Sequence, residues 1–146
     1  MFDLEKVKTV AVTNPGAIVD NAALTTAIID TLGFRAVRIV VLLGALDIAL
    51  AALKLRESAA SDMTGAVDVE GADFSVSPAT LPAATDDNKL VAIHVILNGR
   101  KRYLDLTLTG GDGTAGTYAA AWADLYRASE VPSDATGRGF AQELSV

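Results

Sequence analysis

The sequence contains no cysteine and a single histidine, His94, among its 146 residues. Disulfides and thiolate metal sites are excluded, and a histidine-based zinc site within one chain has too few ligands. Basic residues are in the minority, 12 Lys and Arg against 18 Asp and Glu, giving a net charge of −6. A general phosphate-backbone binder needs a basic face, so nucleic acid is not an expected partner. Aromatic residues make up only 5%, which leaves little material for a sugar-stacking row. The amino-terminal "MFDLEKVKTVAV" has Asp3 and Glu5 ahead of any apolar run. No basic region leads into an apolar one, so a secretory leader is not expected.

A membrane span is also missing. The most apolar stretch, "RIVVLLGALDIALAALKLRES", is bounded by Arg38 and Lys54 and broken by Asp47. A span needs roughly 20 predominantly apolar residues. A lone carboxylate at mid-bilayer costs about 2.5–3.5 kcal/mol on insertion scales.

What is present is a folded domain's worth of apolar material. Hydrophobic residues are 51% and charged residues 21%, and the length fits one domain with a sizeable core. The apolar stretch reads as a helix or as two strands. Its second half is rich in Ala and Leu, good helix formers, while "RIVVLL" favours a strand. We read two strands joined across Gly44–Asp47, with Leu53 and Leu55 on one face and Lys54 and Arg56 on the other.

The remaining segments support that reading. "KLVAIHVIL" is an apolar strand followed by Asn98-Gly99, a strong hairpin signal. "RYLDLTLTGG" alternates, with Leu104, Leu106 and Leu108 opposite Tyr103, Asp105, Thr107 and Thr109. "TYAAAWADLYRAS" is then expected as a strand returning alongside it. Two short strands are expected around Pro15–Gly16, one ending near Asp30–Gly33, and two more around residues 70–73. The sum is an all-β, antiparallel β-sandwich, jelly-roll-like, of about eight to nine strands. Residues 1–130 form the single domain with its amino-terminal strand or arm, and 131–146 form a carboxy-terminal arm.

Each pattern that resembles chemistry has a plainer reading. "GGDGTAG" lacks the Lys-Ser or Lys-Thr of a phosphate loop. Gly111, Gly113 and Gly116 have dinucleotide-loop spacing, but no strand–loop–helix surrounds them, so a turn is preferred. His94 reads as a strand histidine sharing a face with Leu90, Ala92 and Ile96. Asp68 and Glu70 share a face and resemble an acid/base pair, yet a solvated face explains them as well. Asp86, Asp87 and Asn88 are oxygen-rich without the calcium-loop pattern. Tyr118, Trp122 and Tyr126 are spaced by four, and core packing is preferred over an aromatic platform. No catalytic, metal or cofactor site is expected. The one dense basic cluster is Arg100, Lys101 and Arg102 at a turn tip.

One resemblance covers most of Thr25 to Ala128. Asp30, Thr31, Gly33 and Phe34 form a turn, followed by an apolar strand. Leu55, Glu57 and Ser58 end a charged strand. Lys101, Arg102 and Tyr103 begin another, and a closing strand carries Arg127. In that order these resemble a family of small tailed-bacteriophage structural proteins encoded among head genes. The stretch "ALDIALAAL" departs from the family's usual Gly-Thr-Tyr-like strand start. The resemblance implies a non-enzymatic virion protein on the capsid surface, made in the bacterial host cytoplasm. It implies a capsid cement or decoration subunit, or alternatively a head–tail or tail component. The implied partners are the major capsid protein and further copies of the chain, with trimers suiting three-fold positions. A carbohydrate-binding β-sandwich module is the competing reading. Segments 1–13, the Arg100–Lys101–Arg102 tip and segment 131–146, with Arg138 and Phe140, are the expected partner contacts.

Overall fold

The computed structural model describes residues 6–132 and 134–144. The first five residues of the expected amino-terminal contact segment lie outside that range. Among the described residues, eight strands form two four-stranded antiparallel sheets. They are β1 Lys8–Thr13, β2 Ile29–Asp30, β3 Ala36–Leu46, β4 Ala52–Ser58, β5 Val67–Asp73, β6 Leu90–Ile96, β7 Tyr103–Thr109 and β8 Thr117–Tyr126. Sheet A runs β1-β8-β3-β6 and sheet B runs β2-β7-β4-β5.

This order has a simple origin. β1 pairs with β8, β2 with β7, β3 with β6 and β4 with β5. The chain is thus one long folded-back ribbon. Wrapping that ribbon adds the β3–β8 and β4–β7 pairs that close each sheet. The result is an eight-stranded jelly roll, the sandwich expected from the sequence.

The long apolar stretch does form two strands, but they are not neighbours. β3 belongs to sheet A and β4 to sheet B, so the chain crosses between layers. The crossing is not at Gly44–Asp47 as expected. β3 continues through Gly44 to Leu46, and the connection is 47–51. Gly44 serves close approach instead: a Cβ there would stand 2.6 Å from the Tyr118 Cβ.

Several further expectations are corrected. Asn98-Gly99 makes a turn, with the Arg100 N–H donating to the Leu97 carbonyl, but the flanking β6 and β7 lie in different sheets. β8 likewise returns beside β3 and β1, not beside β7. The strand expected after Pro15–Gly16 is replaced by isolated bridges, from Val19 to Thr117 and from Ala23 to Thr109. Residues 70–73 are not a turn between two strands. β5 runs straight through them, with a register irregularity between Lys54 and Arg56 on its partner β4, and 74–77 is turn. The strand near Asp30 is two residues long.

The core lies between the sheets. Sheet A contributes Ile39, Val41, Leu43, Ile93, Ala121, Ala123 and Leu125; sheet B contributes Leu53, Leu55, Val69, Leu104, Leu106 and Leu108. These are alternate residues along each strand, as a pleated ribbon with one buried face requires. Each fully buried leucine stabilises by about 1.5–3 kcal/mol relative to exposure.

Candidate functional site

The two outer faces differ in chemistry. On sheet B the outward residues are polar, and most of the charged ones are paired. Arg56 grips Asp105 with Nε at 2.9 Å and Nη2 at 2.5 Å. Lys54 reaches Asp68 at 2.8 Å, and Arg102 grips Asp30 with two bonds of 2.7 Å. A charge-laced face of this kind is content in water.

The outer face of sheet A is mostly apolar. Its register sets Ala11, Trp122, Val40 and Ala92 in one row, and Ala120, Leu42 and Leu90 in the next. Leu42, Tyr118, Leu90 and Ile96 are 42%, 47%, 60% and 70% exposed. One polar row crosses this face. Asp124 accepts from the Thr9 hydroxyl and from Arg38 Nη2, both at 2.8 Å, and His94 lies beside Arg38 in register. The Asp124 carboxylate keeps the Arg38 guanidinium charged, above its ordinary range. A shallow hollow of about 250 Å³ lies between Leu42, Gly44, Asn88 and Tyr118. Contiguous apolar surface of this sort marks interaction sites.

Tyr118, Trp122 and Tyr126 therefore do not pack in the core as expected. They stand on the outer face, because Ala121, Ala123 and Leu125 take the inward positions of β8. The sequence held the signal: Asp124 shares their parity, and a carboxylate marks the wet side.

The other candidates do not converge on one site. Asp68 and Glu70 sit on sheet B, with Asp68 paired to Lys54. His94 is outward and exposed, with Leu90, Ala92 and Ile96, as expected. Asp86 and Asp87 serve the chain, bonding the Ala83 and Leu46 N–H groups. The "GGDGTAG" amides do converge on an anion, but it is Asp47 of the same chain. Asp47 Oδ2 accepts from the Thr114 and Ala115 N–H groups, and Asp20 accepts from Gly113.

The basic tip is largely neutralised. Arg102 is held by Asp30, Arg100 lies 3.6 Å from Glu57, and Glu57 accepts from the Lys101 N–H at 3.1 Å. Glu57 was missed in the sequence as an anchor, although it shares the inward parity of Leu53 and Leu55. Arg138 bonds Glu143 and the Pro132 carbonyl, and Phe140 remains exposed. Among the described residues no cluster of three or more His, Cys, Asp or Glu is placed to hold a metal ion, and no helix is long and apolar enough to cross a membrane.

Among the described residues, five carboxyls lie below their ordinary range for local reasons. Arg102 holds down Asp30, the Ala115 and Thr114 amides Asp47, Thr64 Asp62, Ser75 Asp73, and Arg138 Glu143. The folded chain then binds fewer protons than the unfolded chain between the folded values and the unfolded one of about 4. Stability is thus present above that window and lost as pH falls through it. We expect a urea midpoint flat from about pH 8 to pH 5 that drops below about pH 4. Asp47→Asn should flatten part of the acid limb, and an unchanged limb would refute the assignment for Asp47.

Among known proteins, no family model, curated sequence or solved structure matches the chain.

Proposed function

We propose that this protein is a non-enzymatic structural component of a tailed-phage particle, a cement or decoration subunit that binds across major capsid subunits. The observation that carries this reading is the exposed apolar outer face of sheet A, set against the polar outer face of sheet B with its three ion pairs. A jelly roll alone names no function. A rigid two-layer body with one adhesive face and one wet face suits a subunit seated on a larger surface. Many copies on a symmetric lattice add avidity to modest single contacts.

Trp122 is the only tryptophan and lies within the face, so its emission reports occupancy. Titrating the protein with empty capsids is expected to shift that emission to the blue. Leu42→Lys should weaken binding by at least about tenfold, since a desolvated charge at an interface core costs more than 1.4 kcal/mol. Lys54→Ala on sheet B should leave binding unchanged. Capsid binding with unaltered Trp122 emission would reject this face as the contact.

One observation favours a second reading. Tyr118, Trp122 and Tyr126 share this outer face, which is where a glycan-stacking row would need them. Quenching or shifting of Trp122 by soluble glycans, with no response to capsids, would favour the carbohydrate-binding module.

A further inference from the structure

A sheet edge with unpaired N–H and C=O groups is a template for another chain, and proteins blunt such edges. Sheets A and B have four edges: β1, β6, β2 and β5. Three are blunted. β1 carries a register irregularity after Ala11 and is covered by the carboxy-terminal arm, whose Arg138 carbonyl accepts from the Thr9 N–H at 2.8 Å. β2 is two residues long and ends in Asp30. β5 carries Asp68, Glu70 and Asp73 opposite an irregular register.

β6 has none of these devices. Its sequence, LVAIHVI, contains no Lys, Arg, Asp, Glu, Pro or Gly, and its seven pairs with β3 run without a register shift. The flanking bonds from the Leu97 N–H to the Arg35 carbonyl and from the Leu43 N–H to the Lys89 carbonyl fix which residues face β3. By alternation, Val91, Ile93 and Val95 bond β3, while Leu90, Ala92, His94 and Ile96 aim their backbone groups at the open edge. No backbone bond from these four to any other described residue is present.

We infer that the β6 edge is an interface for a second copy of this chain, pairing antiparallel with its own β6 about Ile93. The strand is complementary to itself in this register. Leu90 of one copy meets Ile96 of the other, the two most exposed apolar residues of the strand, and Ala92 meets His94. Only small or neutral side chains face one another, so no like charges oppose. The flanks also match. Asp86, Asp87 and Lys89 precede the strand, a flank of net negative charge, while Arg35 and Arg127 line the hollow beside Ile96 and Asn98 at its far end. Antiparallel pairing brings the acidic flank of each copy to the basic flank of the other. A two-fold, isologous contact closes on itself and does not propagate. It joins two A sheets into one continuous sheet of eight strands and doubles the apolar outer face. This inference stands independently of the virion reading.

Seven paired residues are a small contact beside the roughly 800 Å² per partner of a standard interface. A reversible dimer with a dissociation constant in the micromolar range is expected, read by sedimentation velocity from low to several hundred micromolar. Ala92→Pro removes a donor from the open side only, where proline is tolerated. Ile96→Lys adds the charge that other edges carry. Each should raise the dissociation constant by at least about tenfold, with an unchanged far-ultraviolet dichroism spectrum. Leu32→Lys, an exposed apolar position elsewhere, should not. A wild-type chain that stays monomeric throughout overturns the proposal, as does a dimer that survives both edge variants. Loss of the dimer on deleting residues 1–5 also overturns it, by naming that segment as the occupant.

Discussion

Leu43→Ala is expected to destabilise the protein by about 3–5 kcal/mol, while Leu42→Ala changes stability by no more than about 0.5 kcal/mol. The two residues are neighbours on β3 and chemically identical, so the contrast isolates the face. Leu43 is 1% exposed and belongs to the inter-sheet core; Leu42 is 42% exposed on the outer face of sheet A. Truncating Leu43 leaves a cavity between two sheets whose strands are fixed by hydrogen bonds on both sides of β3. The site cannot collapse easily, which puts the cost toward the upper part of the range. Against a typical total of about 5–15 kcal/mol the loss is large, and the melting temperature should fall on the order of 10 °C. Urea unfolding of both variants checks this. Equal losses would mean that sheet A is covered on both faces. The same pair read by capsid titration should invert: Leu42→Ala weakens binding and Leu43→Ala leaves the surface intact at temperatures where the chain stays folded.

The strands were legible because alternation is a local property. Leu104, Leu106 and Leu108 in β7, and Leu53 and Leu55 in β4, declare their buried side within a few residues. Which sheet a strand joins is not local. Asn98-Gly99 correctly marks where the chain reverses, but the same turn serves a hairpin or a crossing between layers. In this fold β4–β5 alone connects consecutive neighbours in one sheet. The ribbon pairs of a jelly roll join residues far apart in sequence: Lys8 pairs with Leu125 and Ile29 with Leu104. The same distance hid the polar row of sheet A, since Thr9 and Arg38 meet Asp124 across 115 and 86 residues. The aromatic trio failed for a different reason. Large apolar side chains are usually buried, and that prior outweighed the parity of Asp124. The basic tip looked free because its partners, Asp30 and Glu57, lie on β2 and β4.

Gly139→Ala is expected to release the carboxy-terminal arm. Gly139 has φ +91°, a conformation costing an alanine about 1–2 kcal/mol. An added Cβ would also overlap the Thr9 carbonyl, a backbone atom that cannot swing aside. Residues 134–140 of the arm form a small self-bonded turn. The Phe140 N–H reaches the Ala135 carbonyl at 2.9 Å, and the Arg138 side chain is drawn in by Glu143 and the Pro132 carbonyl. It docks on β1 through the bond from the Thr9 N–H to the Arg138 carbonyl. Losing a total of about 3 kcal/mol at this contact corresponds to roughly a hundredfold rise in the open population. Trypsin should then cleave after Arg138 roughly a hundredfold faster, and the Thr9 amide should exchange faster by a similar factor. The inter-sheet core is untouched, so the melting temperature should move much less than in Leu43→Ala. The uncovered β1 edge adds a second open edge to sheet A, at the side opposite β6. Two open edges on one sheet permit open-ended growth where a single edge permits only a closed pair. The variant should therefore sediment as species larger than a dimer, and Ala92→Pro in the same chain should cut them back. An arm that stays protected in Gly139→Ala would show that the close approach to Thr9 is not what holds it.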